Sequence, residues 1–434
     1  MARTEECILY RDFLHGEILN TMTALMNARE NGDAGLKERK GEFFQCINGL
    51  VELAGMYGFS GNLWHNYLTQ LLVNHENAFS TACEIRGAVE GSINKLAMND
   101  FAIFKELYDY DLTVFDTIFH TTCCRELAAY ENINGNSKMY NQRIRDRICS
   151  MSKTLAAAKS TEEFMTDMVQ FYKDFGVGKL GLHKAFRIEH DEEGRVVIAP
   201  ITRIAHVNLE DLVGYEIPKK KLIENTEAFV RGRKANNCLL FGDAGTGKSS
   251  SIKGILNRYY DEGLRIIEVY KHQFQDLNDV IAQIKNRNYK FILYMDDLSF
   301  EEFEIEYKYL KAVIEGGLEK KPDNILIYAT SNRRHLVREK ATDKLELADD
   351  NDLHSSDTVQ EKLSLVYRFG VRIYFGAPDK KEFQNIVRVL AERNGVDMRE
   401  DELLSEANKW ELSHGGLTGR TAQQFIDHVL GTRI

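Results

Sequence analysis

The segment Gly242-Asp243-Ala244-Gly245-Thr246-Gly247-Lys248-Ser249, continued by Ser250, satisfies G-x-x-x-x-G-K-[ST] in full and constrains the chain more than any other feature. It follows the short apolar run Cys238-Leu239-Leu240-Phe241 and opens a stretch with helical spacing that runs to Tyr260. A strand feeding a glycine loop into a helix aims successive backbone N–H groups, and the positive end of the helix, at one point where phosphate oxygens can sit. Glycine tolerates the backbone angles and the close approach such a loop needs. Lys248 is then expected to span the β- and γ-phosphates and the Ser249 hydroxyl to ligate Mg²⁺. A glycine-rich turn carrying an exposed lysine is the plain alternative, and the flanking strand and helix argue against it.

A cation held by one hydroxyl also needs a carboxylate, expected at the end of a neighbouring apolar strand. Phe291-Ile292-Leu293-Tyr294-Met295-Asp296-Asp297 supplies it: Asp296 for the metal, Asp297 to polarise an attacking water. An apolar strand running into an acidic turn would look the same, so the pairing with the phosphate loop carries the reading. Asn324 to Asn332 is another buried strand, ending in an amide that is suited to orient water, or simply to cap the strand. Arg368, before the last strand, and Arg420, at the start of the final helix, are candidates to neutralise developing phosphoryl charge. Taken singly, each arginine reads as a surface ion-pair former.

Around this motif, Arg265 to Tyr270, Phe291 to Met295, Ile325 to Ala329 and Val371 to Phe375 alternate with amphipathic stretches. With Cys238 to Phe241 they make five strands, expected to form a parallel sheet covered on both faces. The four prolines all lie at or after Pro200, and apolar residues before that point recur at three and four, as in Leu63, Trp64, Tyr67, Leu68 and Leu71. That favours helix. The expected layout is a helical domain over 1–175, a β-hairpin and linker over 176–207, a nucleotide-binding core over 208–378 and a small helical unit over 379–434. Gly176-x-Gly178-x-x-Gly181 matches a dinucleotide fingerprint by letters alone, but a helix precedes it and a strand follows, so it reads as a bend. The polar segment Glu339 to Gln360 reads as a mobile loop.

With 56 Lys+Arg against 66 Asp+Glu, the net charge of -10 argues against nonspecific clamping of nucleic acid. Seven scattered cysteines lack zinc-ligand spacing, and no apolar run is long enough to cross a bilayer, so a cytoplasmic protein with reduced thiols and no membrane partner is expected.

In this order and approximate spacing the motifs resemble an AAA+ ATPase: Walker A at Gly242 to Ser249, Walker B at Phe291 to Asp297, a sensor-1 asparagine at Asn332, an arginine-finger candidate at Arg368 and a sensor-2 arginine at Arg420. Asp296-Asp297-Leu298-Ser299-Phe300-Glu301, with Gly61-Asn62-Leu63-Trp64, Lys184-Ala185-Phe186-Arg187 and Gly419-Arg420-Thr421-Ala422, is similar to a bacterial AAA+ group defined as a domain of unknown function. The resemblance implies an α/β fold: an αβα core with a five-stranded parallel sheet and a helical lid, preceded by a mainly helical domain with a short hairpin. It further implies ATP with Mg²⁺, a homo-oligomeric ring or spiral with sites at subunit boundaries, and Gly214 and Tyr215 near the adenine. Asp297 departs from the pattern, since most AAA+ proteins have glutamate there; its carboxylate reaches one methylene less far, and Glu301 or Glu302 are possible substitutes. The finger is open among Arg368, Arg333 and Arg334; Arg-Phe before the last core strand is similar to finger placement in replication initiators.

Two functions of different class are compatible with these residues. One is an ATP-hydrolysing machine that remodels or loads a partner macromolecule, protein or nucleic acid, through the N-terminal domain. The other is a nucleotide-gated binding module, like a helicase loader, with slow turnover. Trp64, Tyr67, Phe101, Phe104 and Tyr108 read as core rather than a binding stripe, and the basic run Arg143 to Arg147 as a solvated helix face.

Overall fold

In the computed structural model, residues 4–132, 141–202, 204, 207–300, 305–315, 322–332 and 365–432 are described. The chain divides into two compact units, Met1–His183 and Lys184–Ile434. No helix among the described residues is long and apolar enough to cross a membrane.

The first unit is helical. Its longest helices are Lys40–Tyr57 and Ser92–Asp109. The three-and-four spacing of the aromatics has the expected cause, since Trp64, Tyr67, Phe101, Phe104 and Tyr108 are all buried in one core. The buried indole is satisfied by donating from Trp64 Nε1 to the Leu107 carbonyl at 3.0 Å. Asp100, fully buried, accepts the backbone N–H groups of Ile8, Leu9 and Tyr10 and so ties the start of the chain to the core. The glycines of the letter-match Gly176 to Gly181 end one helix and start a short one, Gly178–Leu182, with Gly181 packed on the Gly176 backbone. They form a bend in the helical unit.

The second unit is α/β. Its strands are β1 (Ala185–His190), β2 (Val196–Pro200), β3 (Cys238–Gly242), β4 (Leu264–Glu268), β5 (Lys290–Met295), β6 (Ile325–Ser331) and β7 (Val371–Phe375). They form one sheet in the order β2-β1-β4-β5-β6-β3-β7. All neighbours are parallel except β1 and β2. The expected parallel sheet is present with seven strands rather than five. The hairpin expected to be a separate linker element is instead its outer extension, because β1 pairs with β4 through Ala185↔Ile266, Phe186↔Ile267 and Arg187↔Glu268. Burial of Leu240, Ile266, Ile292 and Leu326 against Leu222, Phe229, Ile252 and Ile255 packs the helices Glu216–Val230 and Lys248–Tyr259 on one face. The helices Lys380–Arg393, Glu400–Ser413 and Gly419–Thr432 enclose their own cluster around Phe383, Ile386, Val387, Ala422, Phe425 and Ile426.

Candidate functional site

Parallel pairing brings the C-terminal ends of β3, β5 and β6 to one edge of the sheet, and the chemistry-bearing residues follow them. The loop leaving β3 enters the Lys248–Tyr259 helix with Gly247 at the helix N-cap. Gly242 adopts φ 135, and a Cβ there would lie 2.1 Å from the Phe375 carbonyl oxygen, so the loop lies flush against β7 only because the side chain is absent. Gly245 is less tightly placed, since a Cβ there would meet only side chains, Thr418 Oγ1 at 3.0 Å and Arg420 Cβ at 3.1 Å.

Lys248 is 6% exposed, and its ammonium donates to the carbonyls of Gly242 at 3.0 Å and Asp243 at 2.6 Å. Burial pushes the amine below the ordinary lysine range, against the pull of Asp243, Asp297 and Asp296. The next residue faces the Walker B-like strand: Ser249 Oγ donates to Asp296 Oδ1 at 2.7 Å. The same oxygen accepts from Tyr294 OH at 2.7 Å and Thr330 Oγ1 at 2.5 Å. Burial alone would raise the Asp296 carboxyl, but these hydroxyls, Thr330 foremost, hold it below the usual carboxylate range. Asp297 takes the left-handed conformation at φ 50, and its N–H donates to Thr330 Oγ1 at 2.9 Å. Asn332 Nδ2 donates to Asp297 Oδ1 at 2.8 Å.

A cavity of about 630 Å³ opens over these groups. Ala244 to Ser250, Asp296, Asp297, Thr330 and Asn332 form its polar floor, with Arg420 on one wall. Leu212, Val213, Tyr215, Ile386 and Leu390 give it an apolar end. The size and the mix of a polar floor with an apolar slot suit a small charged ligand carrying a flat hydrophobic part. The donor set also fits a hard divalent cation: a hydroxyl and a carboxylate oxygen 2.7 Å apart, with room above for phosphate and water oxygens. Among the described residues no group of three or more His, Cys, Asp or Glu could hold a metal, so a cation here would draw its remaining ligands from a bound ligand and water.

A family model described as "Protein of unknown function (DUF815)" matches residues 181–433, more than half of the chain. The chain belongs to the DUF815 family. No curated protein matches it. Among solved structures, this DUF815 chain is similar to the Thermotoga maritima RuvB Holliday junction branch migration motor, at 17% identity and a TM-score of 0.37, over 52% of this chain and 65% of that one. It is also similar to the FIGL-1 AAA domain in complex with ADP, at 17% identity and a TM-score of 0.36, over 52% of this chain and 74% of that one. The DUF815 chain thus spans a little under two thirds of the length of the RuvB structure it matches.

The remaining expected site residues divide into two groups. Arg420 sits at the start of the Gly419–Thr432 helix, lines the cavity and donates its backbone N–H to the Gly245 carbonyl at 3.1 Å. Tyr215 lines the apolar end in the left-handed conformation at φ 59 and buries a hydroxyl that has no partner among the described residues. Burial, with Glu382 and Asp243 adding, pushes that phenol up to about 12. Gly214 precedes it at φ 80 and does not line the cavity. Asp243 does not line the cavity; its N–H donates to the Phe375 carbonyl at 3.0 Å and its carboxylate accepts the Ala377 N–H at 2.7 Å. Arg368 does not line the cavity; its guanidinium is paired with Glu315 at 2.5 Å. Arg333, Arg334, Glu301, Glu302 and the segment Glu339 to Gln360 lie outside the described residues.

Three contributors were not expected from the sequence in the DUF815 site. Tyr294 and Thr330 look like interior strand residues, yet Tyr294 stands two positions before Asp296 and therefore on the same side of β5. Arg393 donates to the carbonyls of Asp211 at 3.0 Å and Glu210 at 2.9 Å, tying the segment that lines the apolar slot to the helix that carries Ile386 and Leu390. The strand alternation was a usable signal for Tyr294; for Arg393 there was none.

Proposed function

We propose that this chain is an AAA+ protein that binds ATP with Mg²⁺ and hydrolyses it to remodel or load a partner macromolecule. The observation that carries this reading is the meeting of Ser249 with Asp296 Oδ1 beside Lys248, in a loop whose first glycine, Gly242, is confined by the Phe375 backbone. Lys248 exchanges its two loop carbonyls for β- and γ-phosphate oxygens, replacing neutral acceptors with charged ones. Ser249 and Asp296 hold Mg²⁺, which supplies Lewis-acid neutralisation of the phosphate charge. Asp297, fixed by Asn332, orients the attacking water, and Arg420 from the last helix meets the charge of the triphosphate. The base occupies the slot between Leu212, Val213, Tyr215, Ile386 and Leu390.

Arg368, ion-paired near the start of β7, serves the site of a neighbouring copy in a ring or spiral assembled in the cytoplasm, so that turnover depends on assembly. One observation favours a slower nucleotide-gated switch over a fast motor: the short Asp297 carboxylate already accepts the Asn332 amide, which occupies an oxygen otherwise available to water. Steady-state phosphate release by wild type and Lys248→Ala separates the readings. Turnover above background that Lys248→Ala abolishes supports hydrolysis; tight ATP binding with background turnover supports the switch; no ATP binding overturns both.

A further inference from the structure

Asp296 Oδ1 accepts three hydroxyl donors at once, from Ser249 at 2.7 Å, Tyr294 at 2.7 Å and Thr330 at 2.5 Å. A carboxylate oxygen has about two lone-pair directions, so this oxygen is crowded with donors. The three donors are not equivalent. Ser249 stands on the phosphate-binding loop, and its oxygen is released if it turns from donating to Asp296 to ligating a cation. Tyr294 is 5% exposed and rises from β5, two residues before Asp296; Thr330 is 1% exposed and rises from β6 beside it. Neither has solvent to turn to, and β5 and β6 are locked in register by Met295↔Ala329. Thr330 is held from a second side as well, because its oxygen accepts the Asp297 N–H at 2.9 Å while its hydrogen points to Asp296.

We infer that Tyr294 and Thr330 are positioning residues for the divalent cation of the nucleotide site: they fix the Asp296 carboxylate in the orientation that a cation meets once Ser249 has turned away. This rests on the proposed ATP and Mg²⁺ reading and deepens it. With two fixed donors on it, the Asp296 carboxylate would be presented to a cation in one orientation. Groups that orient a metal-holding carboxylate in this way are worth roughly 10–100-fold in metal affinity when removed.

The test uses the full chain and calorimetric titration of a non-cleavable ATP analogue, with and without Mg²⁺. Tyr294→Phe and Thr330→Val keep shape and delete only the hydroxyl. The expected result is that the Mg²⁺ concentration at half-maximal enhancement rises about 10-fold in each variant, more than any change in binding of the metal-free analogue. Thr330→Ser, which restores the donor, should return it to the wild-type value. A merely structural role would weaken both titrations together or lower the unfolding midpoint without separating them. Unchanged Mg²⁺ dependence in both variants, with wild type showing Mg²⁺-enhanced binding, overturns the inference and leaves the ATP reading standing. Failure of wild type to bind the analogue under either condition overturns both.

Discussion

The Asn332 amide donates to Asp297 Oδ1 at 2.8 Å, joining the residue that follows β6 to the turn that leaves β5. Asp297 reaches it by a left-handed turn at φ 50, a conformation that aspartate adopts more readily than most residues. The turn separates the two acids: Asp296 faces Ser249, Tyr294 and Thr330, while Asp297 faces Asn332. If Asp297 orients water for attack, Asp297→Asn should lower phosphate release by about 10²–10⁴-fold, the usual worth of a positioned acid–base group. Nucleotide affinity should change little. Asn332→Ala should act in the same direction. Comparison of turnover with analogue binding checks both, and parallel loss of the two would show that the residues hold the loop rather than the water.

Lys248 gives a pH prediction whose sign follows from its burial. The free chain holds the ammonium below the ordinary lysine range, whereas bound phosphate favours the charged form and raises it. Nucleotide affinity should therefore fall as pH rises, starting below the pH at which an exposed lysine would titrate. Lys248→Met should remove this dependence together with most of the affinity. Calorimetry across alkaline pH checks it, and a flat affinity profile for wild type would contradict it.

The limits of the sequence are themselves physical. The phosphate loop was legible because its chemistry is local, with strand, glycines, lysine and helix contiguous from Cys238 to Tyr259. The acids were legible because an apolar strand must end where its carboxylates meet solvent. The hairpin was legible as a hairpin, but not as part of the sheet, because that depends on pairing Ala185 with Ile266 across 81 positions (266 − 185). Thr330 was hidden for the same reason: its reach to Asp296 depends on the register of two strands, and in the sequence it is one more β-former in a buried run.

The glycine cradle predicts a stability effect confined to one position. Gly242→Ala would put a Cβ 2.1 Å from the Phe375 carbonyl oxygen, a backbone atom of a neighbouring strand that has no free space to yield. The strained φ alone costs roughly 1–3 kcal/mol in a non-glycine residue, and the clash adds to it. The Lys184–Ile434 unit should unfold at clearly lower temperature or denaturant, while Gly232→Ala, at φ 71 with open space around it, should cost only the backbone strain. Paired unfolding curves check the contrast.

Arg393 makes the base slot depend on the helix that forms its opposite wall. Its guanidinium spans the Asp211 and Glu210 carbonyls at 3.0 and 2.9 Å, and Ile386 and Leu390 line the cavity from earlier turns of the same helix. Neither contact touches the phosphate floor. Arg393→Ala should therefore weaken binding of a nucleoside triphosphate several-fold, on the scale of two charge-assisted hydrogen bonds at an exposed site, and leave inorganic triphosphate unaffected. Arg393→Lys, with a single point charge in place of a planar fork, should recover only part of the loss. Competition titrations of ATP analogue against inorganic triphosphate measure the ratio directly. An equal loss for both ligands would mean that Arg393 braces the whole unit rather than the slot between Leu212, Val213, Tyr215, Ile386 and Leu390.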